Sequence, residues 1–256
     1  MSAAAGQVPN ASGAERAALR VHHLEVPRTA RYVMLGADGP AVRAVWVALH
    51  GYGQLAEYFA RHFADHAAGR LVIVPEVLNR FYLAAPGGGA PASRAPGSAT
   101  PGTAPRVGAT WMTREDRLNE IGDYVRYLDR VLDATTEAAA VDLARTPLAV
   151  LGFSQGAATA CRWAAHRHVD GLAPAARVVL WGGGVPDDFD LAGADGDALR
   201  AARLTLVAGD ADEFAAAVVV AAHEARLREA GIACATVRYA GGHRLYPVAL
   251  GGVLGA

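Results

Sequence analysis

The sequence contains no lysine, because all 24 of its basic residues are arginine. A lysine nucleophile, a Schiff base and the phosphate-binding lysine of P-loop enzymes are therefore excluded. Cysteine is almost as scarce, and Cys161 and Cys234 are too few for a framework of disulfides. Both are predicted to be buried free thiols of a cytoplasmic protein.

Long hydrophobic runs and an excess of charge are also missing. No segment approaches the length of a membrane span, and Met1–Arg20 lacks the basic start and apolar stretch of a signal peptide. The formal net charge of −1 leaves no basic surplus to neutralise nucleic-acid phosphates. We therefore expect a cytoplasmic protein with no stable membrane anchor and no nucleic-acid partner.

The order of apolar and polar stretches predicts one α/β domain over residues 21–256, preceded by a flexible tail over residues 1–20. Strand-like runs alternate with helical stretches, which indicates a mostly parallel, twisted sheet with helices on both faces. Val21–Val26 and Arg31–Leu35 predict an antiparallel N-terminal hairpin. Residues 84–106, rich in Pro, Gly and Ala, predict a flexible insertion, either a flap over the site or inert.

The most specific motif lies in residues 148–157, which read Leu-Ala-Val-Leu-Gly-Phe-Ser-Gln-Gly-Ala. An apolar strand enters a Gly-x-Ser-x-Gly turn, and a helix of small residues follows. Such a turn exposes the Ser154 hydroxyl on strained backbone, and Gly152 and Gly156 avoid collisions with the neighbouring strand and helix. In this context the motif predicts a nucleophile rather than an incidental serine in a glycine-rich turn.

A serine nucleophile needs a base and a group that orients the base. His243 is the candidate base, because it follows the last predicted strand behind two glycines. Asp210 and Asp212 both follow the preceding strand, so both are candidates for the orienting carboxylate, and the other would then cap a turn. The chain order Ser, Asp, His is the one used by α/β folds with this serine motif.

An oxyanion formed at such a site needs preorganised N–H donors. We predict the backbone N–H groups of Gln155, at the helix start, and of Tyr52, in the loop after an earlier strand. His62 and His66 lie one helical turn apart without an evident third ligand, so no metal site is predicted. Four further side chains are candidates either for an acyl pocket or for plain core. They are Trp111, Met112, Phe153 and Trp181.

Four segments together resemble the α/β-hydrolase superfamily, and within it the phospholipase/carboxylesterase branch that includes the acyl-protein thioesterases. They are His50-Gly51-Tyr52-Gly53, Gly152-Phe153-Ser154-Gln155-Gly156-Ala157, Gly209-Asp210-Ala211-Asp212 and Gly241-Gly242-His243. The resemblance implies the α/β-hydrolase fold and no cofactor. It also implies that Asp212, three residues after Gly209, is the orienting carboxylate.

The resemblance further implies a serine carboxylesterase that hydrolyses carboxylic esters through an acyl-enzyme intermediate. Two alternatives stay open: an acyl-thioesterase or lysophospholipase that acts on long acyl chains, and a non-catalytic relative that binds ligands. We expect a small-molecule ester as the substrate and a monomer or homodimer as the working form.

Overall fold

The computed structural model describes residues 19–84 and 105–255. The predicted tail over residues 1–20 and the predicted insertion over 84–106 lie mostly outside these ranges, so both stay predictions. Within the described residues, no helix combines the length and the apolar character needed to cross a bilayer.

A central sheet of seven strands organises the domain, in the order β1-β3-β2-β6-β7-β8-β9. All neighbouring pairs are parallel except β1 and β3, which are antiparallel. A second sheet is the antiparallel pair of β4 and β5. The strands are β1 (Tyr32–Gly36), β2 (Ala44–Leu49), β3 (Arg70–Pro75), β4 (Asn79–Tyr82), β5 (Val107–Thr110), β6 (Leu148–Phe153), β7 (Ala175–Trp181), β8 (Arg203–Gly209) and β9 (Cys234–Tyr239).

Helices cover both faces of the central sheet. The α-helices are α1 (Ala56–Ala60), α2 (Arg117–Ala138), α3 (Gln155–Val169), α4 (Ala194–Ala201), α5 (Ala217–Glu229) and α6 (Pro247–Gly255). Short 3-10 helices span Gly39–Ala41 and Arg61–His66. Buried side chains of α2, α3, α4 and α5 join the core on one face, and those of α1 and α6 join the core on the other.

The alternation of side chains along β2 shows why these strands read as continuous apolar runs. Val45, Val47 and Leu49 belong to one core, whereas Trp46 and Ala48 belong to the other. Because helices cover both faces, every position of the strand needs an apolar side chain. The predicted mostly parallel sheet with helices on both faces is therefore confirmed.

An antiparallel strand pair at the N-terminal end is also confirmed, but its members are β1 and β3. The predicted first strand, Val21–Val26, is irregular and exposed. β1 hydrogen-bonds along the outer edge of the large sheet, where Val33 and Leu35 pack against one of the cores. The apolar residues of 21–26 lack such a buried face, since Val21, Leu24 and Val26 are exposed.

Two other elements differ from the sequence-based expectation. The hairpin of β4 and β5 frames the segment 85–104 and is absent from the sequence analysis. Thr113, followed by Asp116 in the capping-box position, predicts a helix that begins directly after Thr113. α2 begins instead at Arg117, because Asp116 has a left-handed backbone with φ of 50°. Asp tolerates this conformation better than most residues do, and a helix cannot continue through it.

Candidate active site

Ser154 occupies a strained turn between β6 and α3. Its φ of 54° and ψ of −117° lie in a region that residues with a Cβ rarely adopt. The Ser154 N–H donates to the carbonyl of Trp181 at 2.8 Å, which fixes the turn to the end of β7. The predicted strand-turn-helix context of the serine is therefore present.

The two glycines of the motif permit a close approach of α3 to the sheet. A Cβ on Gly152 would lie 2.1 Å from the carbonyl oxygen of Gly156, and a Cβ on Gly156 would lie 2.3 Å from that of Leu49. Real Cβ atoms do not come so close to backbone oxygens. Both positions therefore require glycine for steric reasons.

Asp212 and His243 are in direct contact at the same edge of the sheet. His243 Nδ1 lies 2.8 Å from Asp212 Oδ2 and 3.0 Å from Oδ1. The N–H groups of Phe214 and Ala215 each donate to Oδ1 at 2.9 Å. Since an ionised carboxylate only accepts hydrogen bonds, Nδ1 carries the imidazole proton and Nε2 is left unprotonated in the neutral ring.

Asp210, the other candidate carboxylate, has a different task. Its Oδ1 accepts the N–H of Gly241 at 2.8 Å, and its side chain is exposed. This bond attaches the end of β8 to the loop that carries His243. Sequence spacing left both carboxylates open, and the structure places Asp212 alone of the two against the imidazole.

Short contacts place His243 beside the serine turn. The rings of His243 and Phe153, the residue before Ser154, have centroids 4.9 Å apart. A Cβ on Gly182 would lie 2.9 Å from His243 Cε1, and one on Gly183 would lie 2.7 Å from the Ser154 carbonyl oxygen. Within the described residues, no hydrogen bond joins the Ser154 hydroxyl to the imidazole.

Two backbone N–H groups, one in the loop after β2 and one at the start of α3, have no acceptor among the described residues. In the loop after β2, the N–H groups of Gly51, Gly53 and Gln54 all donate within the protein. Neither the Tyr52 N–H nor the Gln155 N–H has an acceptor in residues 19–84 and 105–255. Gln155 also begins α3, where the helix dipole favours negative charge. They are the two N–H groups that the sequence analysis names as oxyanion donors, and that role stays a prediction.

The side chain of Gln155 has a role that the sequence analysis missed. Its Oε1 accepts the N–H of Trp111 at 3.0 Å, and its Nε2 donates to the Thr110 hydroxyl at 2.9 Å and the Met112 carbonyl at 3.0 Å. The start of α3 is thereby fixed to the end of β5. No local signal reveals this contact, because the partners are more than 40 positions apart.

The aromatic candidates for an acyl pocket are mostly core side chains. Trp111 and Trp181 are almost fully buried, and the Trp181 indole donates to the hydroxyl of Tyr239 at 3.0 Å. Phe153 is buried against His243. The predicted contact of these side chains with a substrate stays a prediction.

Phe214 is the aromatic side chain that the sequence analysis overlooked. Its ring lies 4.8 Å from that of His243 and is 68% exposed. It follows Asp212 by two positions, and its N–H binds that carboxylate. An apolar surface therefore borders the imidazole on the solvent side.

The buried carboxylate of Glu76 binds the first N–H of α1, the helix that follows the loop after β2. Glu76 accepts from Arg31 at 2.7 Å, from Arg80 at 2.6 Å and from the Ala56 N–H at 3.2 Å. Burial alone would raise the pKa of Glu76, but the hydrogen bonds and charges of the two arginines lower it below its ordinary value.

His50, adjacent to that loop, is buried and neutral. Burial lowers the pKa of its imidazole, and its Nε2 lies 3.4 Å from the Val77 N–H. With Nε2 accepting, Nδ1 donates to the carbonyl of Gly51 at 2.9 Å. His50 therefore shapes the backbone beside Tyr52 as a fixed tautomer.

No protein-family model matches this sequence, and no curated protein matches it. Its structure is similar to that of acyl-protein thioesterase 2 from Zea mays, with a TM-score of 0.60, 19% identity and coverage of 89% of this chain and 97% of that chain. The structure of esterase PE8 is similar with a TM-score of 0.59 at 19% identity, over 89% of this chain and 97% of that chain. A carboxylesterase from Mesorhizobium loti gives 0.59 at 17% identity, over 89% of this chain and 95% of that chain.

At identities of 17–19% these likenesses establish architecture alone, and the chain has the α/β-hydrolase fold.

Proposed function

We propose that this protein is a serine carboxylesterase that hydrolyses small carboxylic esters through an acyl-enzyme. The observation that carries the proposal is the bond between Asp212 and His243 next to the strained turn of Ser154. The titles of similar structures, esterases and acyl-protein thioesterases, support hydrolysis of an acyl group.

In the first half of the proposed reaction, His243 Nε2 takes the proton of the Ser154 hydroxyl while the serine oxygen bonds to the ester carbonyl carbon. Asp212 holds the imidazole in the required tautomer and stabilises its protonated form. The N–H groups of Tyr52 and Gln155 bind the oxyanion. The carbon–oxygen bond to the leaving group then breaks, and His243 protonates the departing alkoxide.

In the second half, His243 takes a proton from water, and the resulting hydroxide attacks the acyl carbon. The bond to Ser154 breaks, and the serine oxygen recovers its proton from His243. In this proposal the hydrogen bond between the Ser154 hydroxyl and the imidazole forms once a substrate is bound, since catalytic hydrogen bonds are often long or poorly aligned in enzymes without substrate.

A thioesterase is the second candidate. Its support is the likeness to a structure titled acyl-protein thioesterase 2 and the exposed Phe214 ring beside His243, which offers apolar surface to an acyl chain. Rates on matched oxygen esters and thioesters of two to sixteen carbons separate the two candidates. An ester preference at short chain length supports the carboxylesterase, and a thioester preference that grows with length supports the alternative.

The deciding experiment compares the wild type with Ser154→Ala on p-nitrophenyl acetate and butyrate. We expect kcat to fall about a million-fold in the variant, with an unchanged melting temperature. A fluorophosphonate probe should label the wild type once and leave Ser154→Ala unlabelled. Equal rates, or equal labelling, would show that the nucleophile lies elsewhere. An unlabelled wild type with no esterase activity would favour a ligand-binding relative.

For the wider setting we propose a cytoplasmic monomer or homodimer that uses neither a cofactor nor a stable membrane anchor. The net charge of −1 supports the absence of a nucleic-acid partner. Size-exclusion chromatography coupled to light scattering gives the oligomeric state directly.

A further inference from the structure

The glycine loop, residues 182–184, follows β7 and packs against two of the groups proposed to react. A Cβ on Gly182 would lie 2.9 Å from His243 Cε1, and one on Gly183 would lie 2.7 Å from the Ser154 carbonyl oxygen. The backbone of this loop therefore touches both the imidazole and the serine turn. A displacement of the loop would alter how the Ser154 hydroxyl and the imidazole face each other.

The glycine loop has few contacts of its own that could fix its position. The Gly182 N–H donates to the Val207 carbonyl at 2.8 Å. In the described part of the chain, neither Gly183 nor Gly184 takes part in a hydrogen bond. Glycine has no side chain to anchor it and has more backbone freedom than any other residue. The position of the loop therefore depends on what holds the residues around it.

Helix α5 holds the residues directly after the glycine loop through Arg226. Its Nη1 donates to the Val185 carbonyl at 3.3 Å, and its Nη2 donates to the Pro186 carbonyl at 3.2 Å. Hydrogen bonds from a charged donor are stronger than those between neutral groups. Since the Val185 side chain is also buried, the exit of the loop is fixed both to α5 and to the core.

His223, three positions before Arg226 on α5, contacts the glycine loop itself. A Cβ on Gly184 would lie 2.2 Å from His223 Nε2, 2.3 Å from Cδ2 and 2.5 Å from Cε1. The imidazole therefore occupies the space that a side chain at Gly184 would need. Burial lowers the pKa of His223, and the charge of Arg226 lowers it further, so the ring is neutral at pH 7.

The other ring nitrogen of His223 indicates that stability alone does not explain this residue. Its Nδ1 is buried and has no hydrogen-bond partner within residues 19–84 and 105–255. An unpaired buried polar atom is unfavourable for folding, and an apolar residue in its place would avoid that cost. The contact with Gly184 gives the ring a role in the loop instead.

We propose that Arg226 and His223 are positioning residues that hold the glycine loop against Ser154 and His243. This inference rests on the proposed esterase function. Because α5 begins five positions after Asp212, one stretch of chain both orients the imidazole and holds the loop beside it. Loss of either contact should let the loop move and lower kcat, while KM stays constant because neither residue is placed against the substrate.

The first test compares the wild type with Arg226→Gln on p-nitrophenyl butyrate, with rates expressed per active site counted by a fluorophosphonate probe. Glutamine is too short to reach both carbonyls, so we expect kcat to fall about tenfold while KM stays constant. Arg226→Lys keeps a charged donor and should give an intermediate kcat. Because unfolded molecules do not react with the probe, a loss of stability alone would leave kcat per active site unchanged.

Arg228→Gln is the matched control, because Arg228 is an exposed arginine of the same helix whose side chain has no partner among the described residues. It should leave kcat and KM unchanged. Hydrogen exchange followed by mass spectrometry should show faster exchange of the amides in residues 183–187 in Arg226→Gln than in Arg228→Gln.

A second test uses the space at Gly184. Its backbone lies outside the left-handed region, and the three atoms nearest to an added Cβ all belong to His223. Gly184→Ala and His223→Ala should therefore each lower kcat about fivefold, the first by a clash and the second by a gap. In the double variant the methyl group fills part of that gap, and kcat should return to within about twofold of the wild type.

The outcomes separate the positioning role from the esterase function. The positioning role alone would be overturned by an active wild type whose kcat or loop exchange is unchanged in Arg226→Gln, or by a double variant no faster than Gly184→Ala. A rise in KM at constant kcat would likewise overturn it, since the residues would then act on substrate binding. A wild type that neither hydrolyses the ester nor reacts with the probe would overturn the esterase function and the positioning role together.

Discussion

Single residues determine the geometry around Ser154. Its backbone conformation costs about 1–3 kcal/mol and persists only where surrounding contacts enforce it. Here the enforcing contacts are the bond from its N–H to Trp181 and the two flanking glycines, which let α3 pack directly on β2. The strain is thus maintained by backbone contacts between the turn and the sheet.

Asp212→Asn should separate orientation of His243 from mere packing. The asparagine keeps the size of the side chain but can donate a hydrogen bond, which allows the imidazole its wrong tautomer. We expect kcat on p-nitrophenyl acetate to fall about ten-thousandfold, with a melting temperature close to that of the wild type. Steady-state kinetics and circular dichroism measure the two quantities.

Asp210→Asn is the control for that substitution, since it lies two positions away and binds only backbone. The asparagine Oδ1 can still accept the Gly241 N–H, so loss of the charge should lower kcat less than about tenfold. If both variants lost activity to the same extent, Asp212 would not be the residue that orients His243.

The pair Asp210 and Asp212 also shows what the sequence could determine at this scale. The serine turn has a rigid local signature, so Ser154 and its two glycines were predictable from ten consecutive residues. The choice between the aspartates depends on which side chain faces β9 and its loop. That choice is made by contacts 31 positions away along the chain, so the local pattern alone left it open and the family resemblance favoured Asp212.

At the scale of secondary-structure elements, α3 lies so close to β2 that we expect no added atom to fit between them. Gly156→Ala places a methyl group against the Leu49 carbonyl, and we expect the free energy of unfolding to fall by about 3 kcal/mol. Urea denaturation followed by circular dichroism measures the change. Gly252→Ala is the control, because that position of α6 is open and alanine should raise stability by about 0.5–1 kcal/mol. Equal effects would contradict the steric argument.

The loop between β9 and α6 holds His243 in place through the hydroxyl of Tyr239. That hydroxyl lies 3.0 Å from the Gly242 carbonyl and 2.9 Å from the Arg244 carbonyl, and it accepts from the Trp181 indole. In Tyr239→Phe we expect kcat to fall about fivefold, the equivalent of one hydrogen bond, while KM stays constant.

Tyr58→Phe is the comparison for that variant, since the Tyr58 ring is 59% exposed and its hydroxyl has no partner within the described residues. It should leave both kinetic constants unchanged. A rise in KM with constant kcat in Tyr239→Phe would instead indicate that the loop contacts substrate and does not merely position the imidazole.

The elements that the sequence predicted well are those buried on both faces. Most positions of β2, β3, β6, β7 and β8 are apolar, and runs of six or seven residues favour a strand over a helix. The hairpin of β4 and β5 escaped prediction because its strands are four residues each and are paired across more than twenty positions. The start of α2 shifted because a single left-handed Asp116 interrupts an otherwise helical pattern.

For the molecule as a whole, Glu76 should make the free energy of unfolding depend on pH in the acid range. Its pKa is lower in the folded than in the unfolded chain, so its contribution is complete above the ordinary value of 4.5 and disappears as the pH falls through the lowered value. Glu76→Gln should cost about 2 kcal/mol at pH 7, and this difference should shrink in acid. Thermal melts between about pH 3 and pH 7, a range that spans the titration of carboxyl groups, measure it.

Glu115→Gln serves as the reference, because the Glu115 side chain is exposed and has no ion pair in the described part of the chain. Its stability should follow that of the wild type at every pH. A penalty for Glu76→Gln that stayed constant from neutral to acid pH would mean that lost packing, and not charge, is responsible.

The ribbon formed by β4 and β5 offers a practical entry point for protein engineering. At its open end the Leu83 N–H donates to the Arg106 carbonyl at 2.7 Å. The Gly53 N–H, in the loop after β2, donates to the Ala109 carbonyl of the ribbon at 2.8 Å. A receptor domain grafted between positions 84 and 105 would need termini only a few ångströms apart. A conformational change of the grafted domain on ligand binding would act on Tyr52 through the neighbouring Gly53. If the proposed esterase activity depends on Tyr52, the rate of hydrolysis of a chromogenic ester would then report ligand binding.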